Sequence, residues 1–201
     1  AGLHLSEVGE KTGEPRSPRA RLTDAARHDA KLTHVHENCA AVNVLFVDAI
    51  ARAIATPQSS PRDIYDAIVQ RASETDIPEE VRTWTAVANS EFPDDYLTTQ
   101  GWVRIAWQNA LHQLLTADGP AAAIRDTVRR GGDTDTNAAI CGALVGAVYG
   151  AAAFPGMWRT ITSSARAIEG MVGVVRPRPQ VLWPVDWEAL AEQVLLTGVD
   201  G

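Results

Sequence analysis

The sequence predicts an all-α domain, on three observations. Apolar residues recur at helical spacing along most of the chain. Helix-start signals stand ahead of each periodic stretch: Thr23-Asp24, Ser60-Pro61, Pro78-Glu79-Glu80, Gly119-Pro120 and Asp186. No stretch of useful length alternates with a strand-like period. Val172–Val175 is the one β-rich run, and Gly173 interrupts it.

In chain order, residues 1–22 are polar, with Gly9, Gly13, Pro15 and Pro18, and are expected to be an irregular or mobile lead-in. Thr23-Asp24 caps a first helix through Lys31. A long helix over 37–56 follows a break at 32–36, with Ala40, Ala41, Val44, Leu45, Ala51 and Ile54 on its apolar face, and Pro57 ends it. Ser60-Pro61 opens a helix with Ile64, Ala67, Ile68 and Ala72 inward, and Pro78 opens one running to Asn89. Phe92-Pro93-Asp94-Asp95-Tyr96 reads as a surface loop with solvated acids. Residues 98–115 and 120–130 are helical, as are 157–170 and 187–196. With the 138–150 helix, this makes one domain of about eight helices.

Composition excludes several classes. The 201 residues are 45% hydrophobic, as in an ordinary globular domain with a core. The net charge of −7 argues against general nucleic-acid or anionic-membrane binding, because attraction to phosphate needs a basic surface. Cys39 and Cys141 lie in apolar helical patterns and read as buried thiols, not as a disulfide or zinc framework. No apolar run reads as a membrane span and the first residues do not read as a signal peptide, so a cytoplasmic location is expected.

Chemistry concentrates in Arg130-Gly131-Gly132-Asp133-Thr134-Asp135-Thr136. The two glycines allow a tight turn. Asp133, Asp135 and the Thr136 hydroxyl then place hard oxygen donors at a helix entrance, which suits Mg²⁺, Mn²⁺ or Ca²⁺ better than zinc. An isolated D-x-D-T also reads as simple helix capping. The continuation favours the metal reading. Ala138, Gly142, Gly146 and Gly150 form a bare face, and Ile140, Leu144, Val145 and Val148 cover the rest. A helix without a polar face is expected in the middle of a bundle, with its acidic start partly enclosed.

Gly-Gly-Asp-Thr-Asp-Thr, the small-residue helix from Ala138 to Gly150 and Phe154-Pro155-Gly156-Met157-Trp158 together resemble the C-terminal signature of the ADP-ribosylglycohydrolase family. The resemblance covers about residues 23–200 and is strongest over 130–158. It implies a compact orthogonal helical bundle around a two-magnesium site that holds ADP-ribose. By this resemblance Asp133, Asp135 and Thr136 are metal ligands, with Gly131 and Gly132 beside the substrate. Leu32-Thr33-His34 matches a segment that lines the ADP-ribose pocket, which assigns His34 a hydrogen bond to the ligand and leaves His36 as a solvated residue. Thr99-Gln100-Gly101-Trp102-Val103 resembles a segment beside the ligand, so Trp102 either stacks on a ring of the substrate or fills the core.

The chain departs from the family pattern at its start. The glutamate, the Thr-Asp-Asp segment and the Met-Arg pair of the family are not found in residues 1–30. Residues 23–201 are therefore expected to be the C-terminal part of a single domain. The expected function is Mg²⁺-dependent hydrolysis of a glycosidic bond to ADP-ribose, on a modified protein or related compound, with a complementary N-terminal polypeptide completing the site. No catalytic acid or base is identified in this chain. The alternative is a non-catalytic ADP-ribose-binding, scaffold or immunity module.

Overall fold

The computed structural model describes residues 17–197. Among these residues there are α-helices and short 3-10 turns, and no strand. The chain divides into two compact units, residues 1–148 and 149–201.

The first unit holds α1 (Pro18–Lys31), α2 (Glu37–Ala55), α3 (Pro61–Ala72), α4 (Glu79–Val87), α5 (Val103–Thr116), α6 (Pro120–Arg129) and nearly all of α7 (Thr134–Tyr149). Helix α1 starts earlier than Thr23-Asp24 suggests. Ser17 accepts a hydrogen bond from the Ala20 backbone N–H, and Pro18 occupies the first turn. Ser followed by Pro satisfies an open helix donor and pre-sets φ, so Thr23 and Asp24 fall inside the helix. The rest of the expected lead-in, residues 1–16, lies outside the described residues. Ser60 and Asp63 form a reciprocal capping box on α3.

Helix α5 begins later than the periodicity of 98–115 suggests. The backbone N–H groups of Thr98 and Thr99 both donate to the Asp95 carbonyl, and Trp102 N–H donates to Thr99 O. Residues 95–102 are thus turns, and Trp102 caps α5.

The core of this unit is built on α2 and α5. Helix α2 packs on α1, α3, α4 and α5, and α5 also meets α3, α4 and α6. Leu45, Ile68, Val81, Ile105, Trp107, Leu111 and Leu114 are fully enclosed there. Trp107 Nε1 donates to Thr85 Oγ1 at 2.9 Å, and Tyr65 OH donates to the Thr85 and Ala86 carbonyls, so each buried polar tip has a partner. Contrary to the reading of the sequence, α2 is long and apolar enough to cross a membrane by length and composition. Its run of buried residues from Asn38 to Ala53, packed on four helices, marks it as a core helix.

Helix α7 is not the centre of the unit. It buries one stripe, Asn137, Cys141, Leu144 and Val145, and leaves Ala139 and Ala143 exposed. A Cβ on Gly142 would meet the Ile124 side chain of α6 at 3.2 Å, so the closest approach at that glycine is to a side chain and not to a bare backbone. The small-residue pattern misleads for a physical reason. Alanine and glycine carry little apolar area, so leaving them exposed costs little.

The second unit contains α8 (Gly156–Ser164), α9 (Trp187–Thr197) and 3-10 turns at Ala151–Ala153 and Gln180–Leu182. Neither helix has a buried residue. Helix α8 stops short of the expected residue 170. Ser164 Oγ donates to Thr160 O at 2.7 Å, and Ala165 breaks into extended backbone, as hydroxyl side chains compete with the helical ladder.

Candidate metal and ligand site

The acidic motif forms a turn between α6 and α7. Gly131 and Gly132 hold φ of 81° and 70°, a left-handed pair that L side chains rarely adopt. Asp133 O accepts the Asn137 N–H at 3.0 Å, so Asp133 stands at the entrance of α7. Asp133 is half-buried, while Asp135 and Thr136 are exposed. The Asp133 and Asp135 carboxyls are neighbours on the turn. That contact, followed by the backbone N–H groups of Asp135 and Thr136, holds the Asp135 carboxyl below the usual carboxylate range. The positive end of the α7 dipole acts in the same direction.

A loop backs this turn. A side chain on Gly132 would meet Gln100 Cβ at 3.2 Å and the Tyr96 carbonyl at 3.6 Å, and one on Gly131 would meet Leu97 Cδ2 at 3.4 Å. The double glycine therefore serves both backbone conformation and close approach. Asn137, 1% exposed, donates from Nδ2 to Tyr96 OH at 3.2 Å and ties α7 to the same loop. Burial raises the Tyr96 hydroxyl above its ordinary value, and the Asn137 contact partly opposes it.

Arg130 fixes the other side. Its Nε donates to Asp126 Oδ2 at 2.7 Å, and its guanidinium covers the Phe92 ring. Gln113 Nε2 donates to the same Asp126 oxygen. Burial pushes the Asp126 carboxyl up, but these two partners outweigh it and leave it below the usual range. Cys141 is inert: burial raises its thiol to about 11, against a hydrogen bond with Thr127.

Asp95 is not the solvated acid that the sequence suggested. It is half-buried, its Oδ2 accepts from Thr99 Oγ1 at 2.9 Å, and its Oδ1 faces Arg104 at 3.6 Å. Here the second carboxylate after Pro93 organises a loop, while Asp94 stays exposed.

The ligand candidates sort differently from the expectation. His34 is exposed, with Nδ1 paired to its neighbour Thr33 Oγ1 at 2.9 Å. Trp102 is half-buried and is not a core residue. Its indole meets two rings edge-on, His36 at 5.1 Å and Trp84 at 6.0 Å. His36 is thus not merely solvated: it caps α2 and contacts Trp102. The sequence signal available for this was its place directly before Glu37, where a capping residue belongs.

A family model described as ADP-ribosylglycohydrolase matches residues 10–182. The chain belongs to the ADP-ribosylglycohydrolase family. No curated protein and no solved structure matches it. The match spans all the described residues of the first unit and part of the second. The family's chemistry is hydrolysis of a glycosidic bond to ADP-ribose.

The donor set at the turn fits a magnesium ion in kind. Two neighbouring carboxyls at a helix entrance are hard oxygen donors of the kind that magnesium takes. It fits in number only in part. Among the described residues, no group of three or more His, Cys, Asp or Glu side chains gathers in metal-ligand reach.

Proposed function

We propose that this chain contributes to Mg²⁺-dependent removal of ADP-ribose from a modified protein or related compound. The observation that carries the reading is the paired carboxyls of Asp133 and Asp135 at the entrance of α7, within the family match. Asp133 and Asp135 would hold the ion, with the Thr136 hydroxyl as a third oxygen. When bound, magnesium supplies charge stabilisation and a template for the ribose oxygens.

The residues of the chain do the rest by placement. The left-handed turn at Gly131-Gly132 seats the acidic residues against the loop that carries Tyr96 and Gln100, and its backbone would lie beside the sugar. Trp102, half-buried, would stack on a ring of the substrate, and His34, exposed, would hydrogen-bond to it. Two carboxylates are about half of what a two-ion site needs. We therefore assign the remaining ligands, and the group that activates water, to a complementary polypeptide segment.

The test is ADP-ribose release in the presence of Mg²⁺, by the chain alone and by the chain joined with that segment. The expected result is turnover only by the pair, abolished by Asp133→Ala or Asp135→Ala. Robust turnover by the chain alone would refute the split site. An assembled pair that binds ADP-ribose but never releases it would establish the alternative, a binding or immunity module.

A further inference from the structure

Around Trp102 the chain closes a ring of contacts that the proposed site does not by itself require. His36 Nδ1 accepts the Asn38 backbone N–H at 3.1 Å, so the neutral imidazole carries its proton on Nε2 and its plane is fixed at the head of α2. Its ring then stands at 88° to the Trp102 indole. Trp84 also packs on Trp102, at 81°. Trp84 lies one turn beyond Glu80 on α4, on the same face. Glu80 Oε2 accepts from the Nδ2 of Asn38, a residue 4% exposed. The circuit His36, Trp102, Trp84, Glu80, Asn38 thus joins the starts of α2 and α5 to α4. Trp102 makes no side-chain cap bond, and the His36 and Trp84 rings contact its indole.

We propose that His36 is a positioning residue that fixes the Trp102 indole for the substrate, a role resting on the reading that Trp102 faces ADP-ribose. His36 has two separable parts, a capping nitrogen and a ring edge. His36→Asn keeps the cap, because Asn is among the best capping residues, and deletes the ring. His36→Phe keeps the ring and deletes the cap. A purely structural role predicts that Asn rescues and Phe does not. Positioning predicts the reverse for the ligand.

The experiment compares the two variants with the parent, using the full chain together with any complementary segment that ADP-ribose binding requires. It reads the melting temperature, the Trp102 indole N–H resonance (assigned with Trp102→Phe) and the affinity for free ADP-ribose with Mg²⁺ by calorimetry. His36→Asn is expected to melt as the parent does, to shift the Trp102 resonance, and to bind ADP-ribose roughly 2–10-fold more weakly. His36→Phe is expected to melt lower and to keep parental affinity. An unmoved Trp102 resonance in His36→Asn overturns the ring contact. A moved resonance with parental affinity overturns positioning. A parent pair that binds no ADP-ribose overturns the functional reading, and the positioning role with it, while the resonance still reports separately on the contact.

Discussion

The guanidinium of Arg130 lies 3.7 Å above the ring of Phe92, while its Nε holds Asp126. Arg130 directly precedes Gly131, so one side chain clamps the loop before α5 to the end of α6, at the root of the acidic turn. Stacking of this kind contributes about 0.5–2 kcal/mol, depending on how far water is excluded. A double-mutant cycle on Arg130→Ala and Phe92→Leu, read by chemical denaturation, is expected to give a coupling of about that size. Arg130→Lys should lose most of it, because an ammonium has no planar face to stack. Additive single effects would reject the clamp.

The two glycines of the turn should differ in their tolerance of a methyl group. Both sit at positive φ, where an L residue costs roughly 1–2 kcal/mol. Gly132→Ala also drives its Cβ to 3.2 Å from Gln100 Cβ, whereas Gly131→Ala meets Leu97 at an ordinary 3.4 Å. Gly132→Ala is therefore expected to lose about 1 kcal/mol more than Gly131→Ala, from strain shared with the loop. Equal losses would mean that the loop does not bear on the turn.

Asp135→Asn removes one formal charge from the carboxylate pair and nearly keeps its shape. Mg²⁺ affinity is expected to fall on the order of tenfold or more, since charge count tunes such sites. Calorimetric titration of the parent and the variant measures this directly. An unchanged Mg²⁺ isotherm would remove Asp135 from the metal ligands.

A pH dependence follows from Asp76. Arg71, only 4% exposed, grips it with both nitrogens, Nη1 to Oδ1 at 2.8 Å and Nη2 to Oδ2 at 2.9 Å, and Arg27 adds a bond at 3.0 Å. Foremost through Arg71, the Asp76 carboxyl is held well below the usual carboxylate range. A depressed folded-state pKa stabilises the fold above the unfolded value of about 4, and that contribution is lost as pH falls from there toward the folded value. The parent's melting temperature should therefore drop as pH falls below about 4. Asp76→Asn should be less stable at neutral pH by about 1 kcal/mol, because Asp76 is 41% exposed and Arg71 keeps Glu74 at 3.5 Å as a second partner. Its acid limb should also be flatter. A variant whose melting curve tracks the parent's at every pH would show the pair to be energetically idle.

The helices, the starts of α3 and α4 and the acidic turn were legible because they are encoded locally. Ser60-Pro61 with Asp63 writes a capping box in four residues, and Gly-Gly before Asp-Thr-Asp-Thr writes a left-handed turn feeding a helix. The stretch 98–102 was misread because periodicity carried the helix back through a segment whose N–H groups go to Asp95. Two equally local signals competed there, and the polar one won.

By itself, the sequence determined the all-α class, the family and the cluster of hard donors on a single short segment. Each of these rests on residues close together in the chain. The tertiary structure decided that α2 and α5, and not α7, form the core, because glycine and alanine reveal little about which face is covered. It decided too that His36 and Trp84, 48 residues apart, meet on Trp102, and that Tyr96 meets Asn137, 41 residues on. Ring contacts and long-range hydrogen bonds depend on how whole helices are brought together, and no local pattern carries that information.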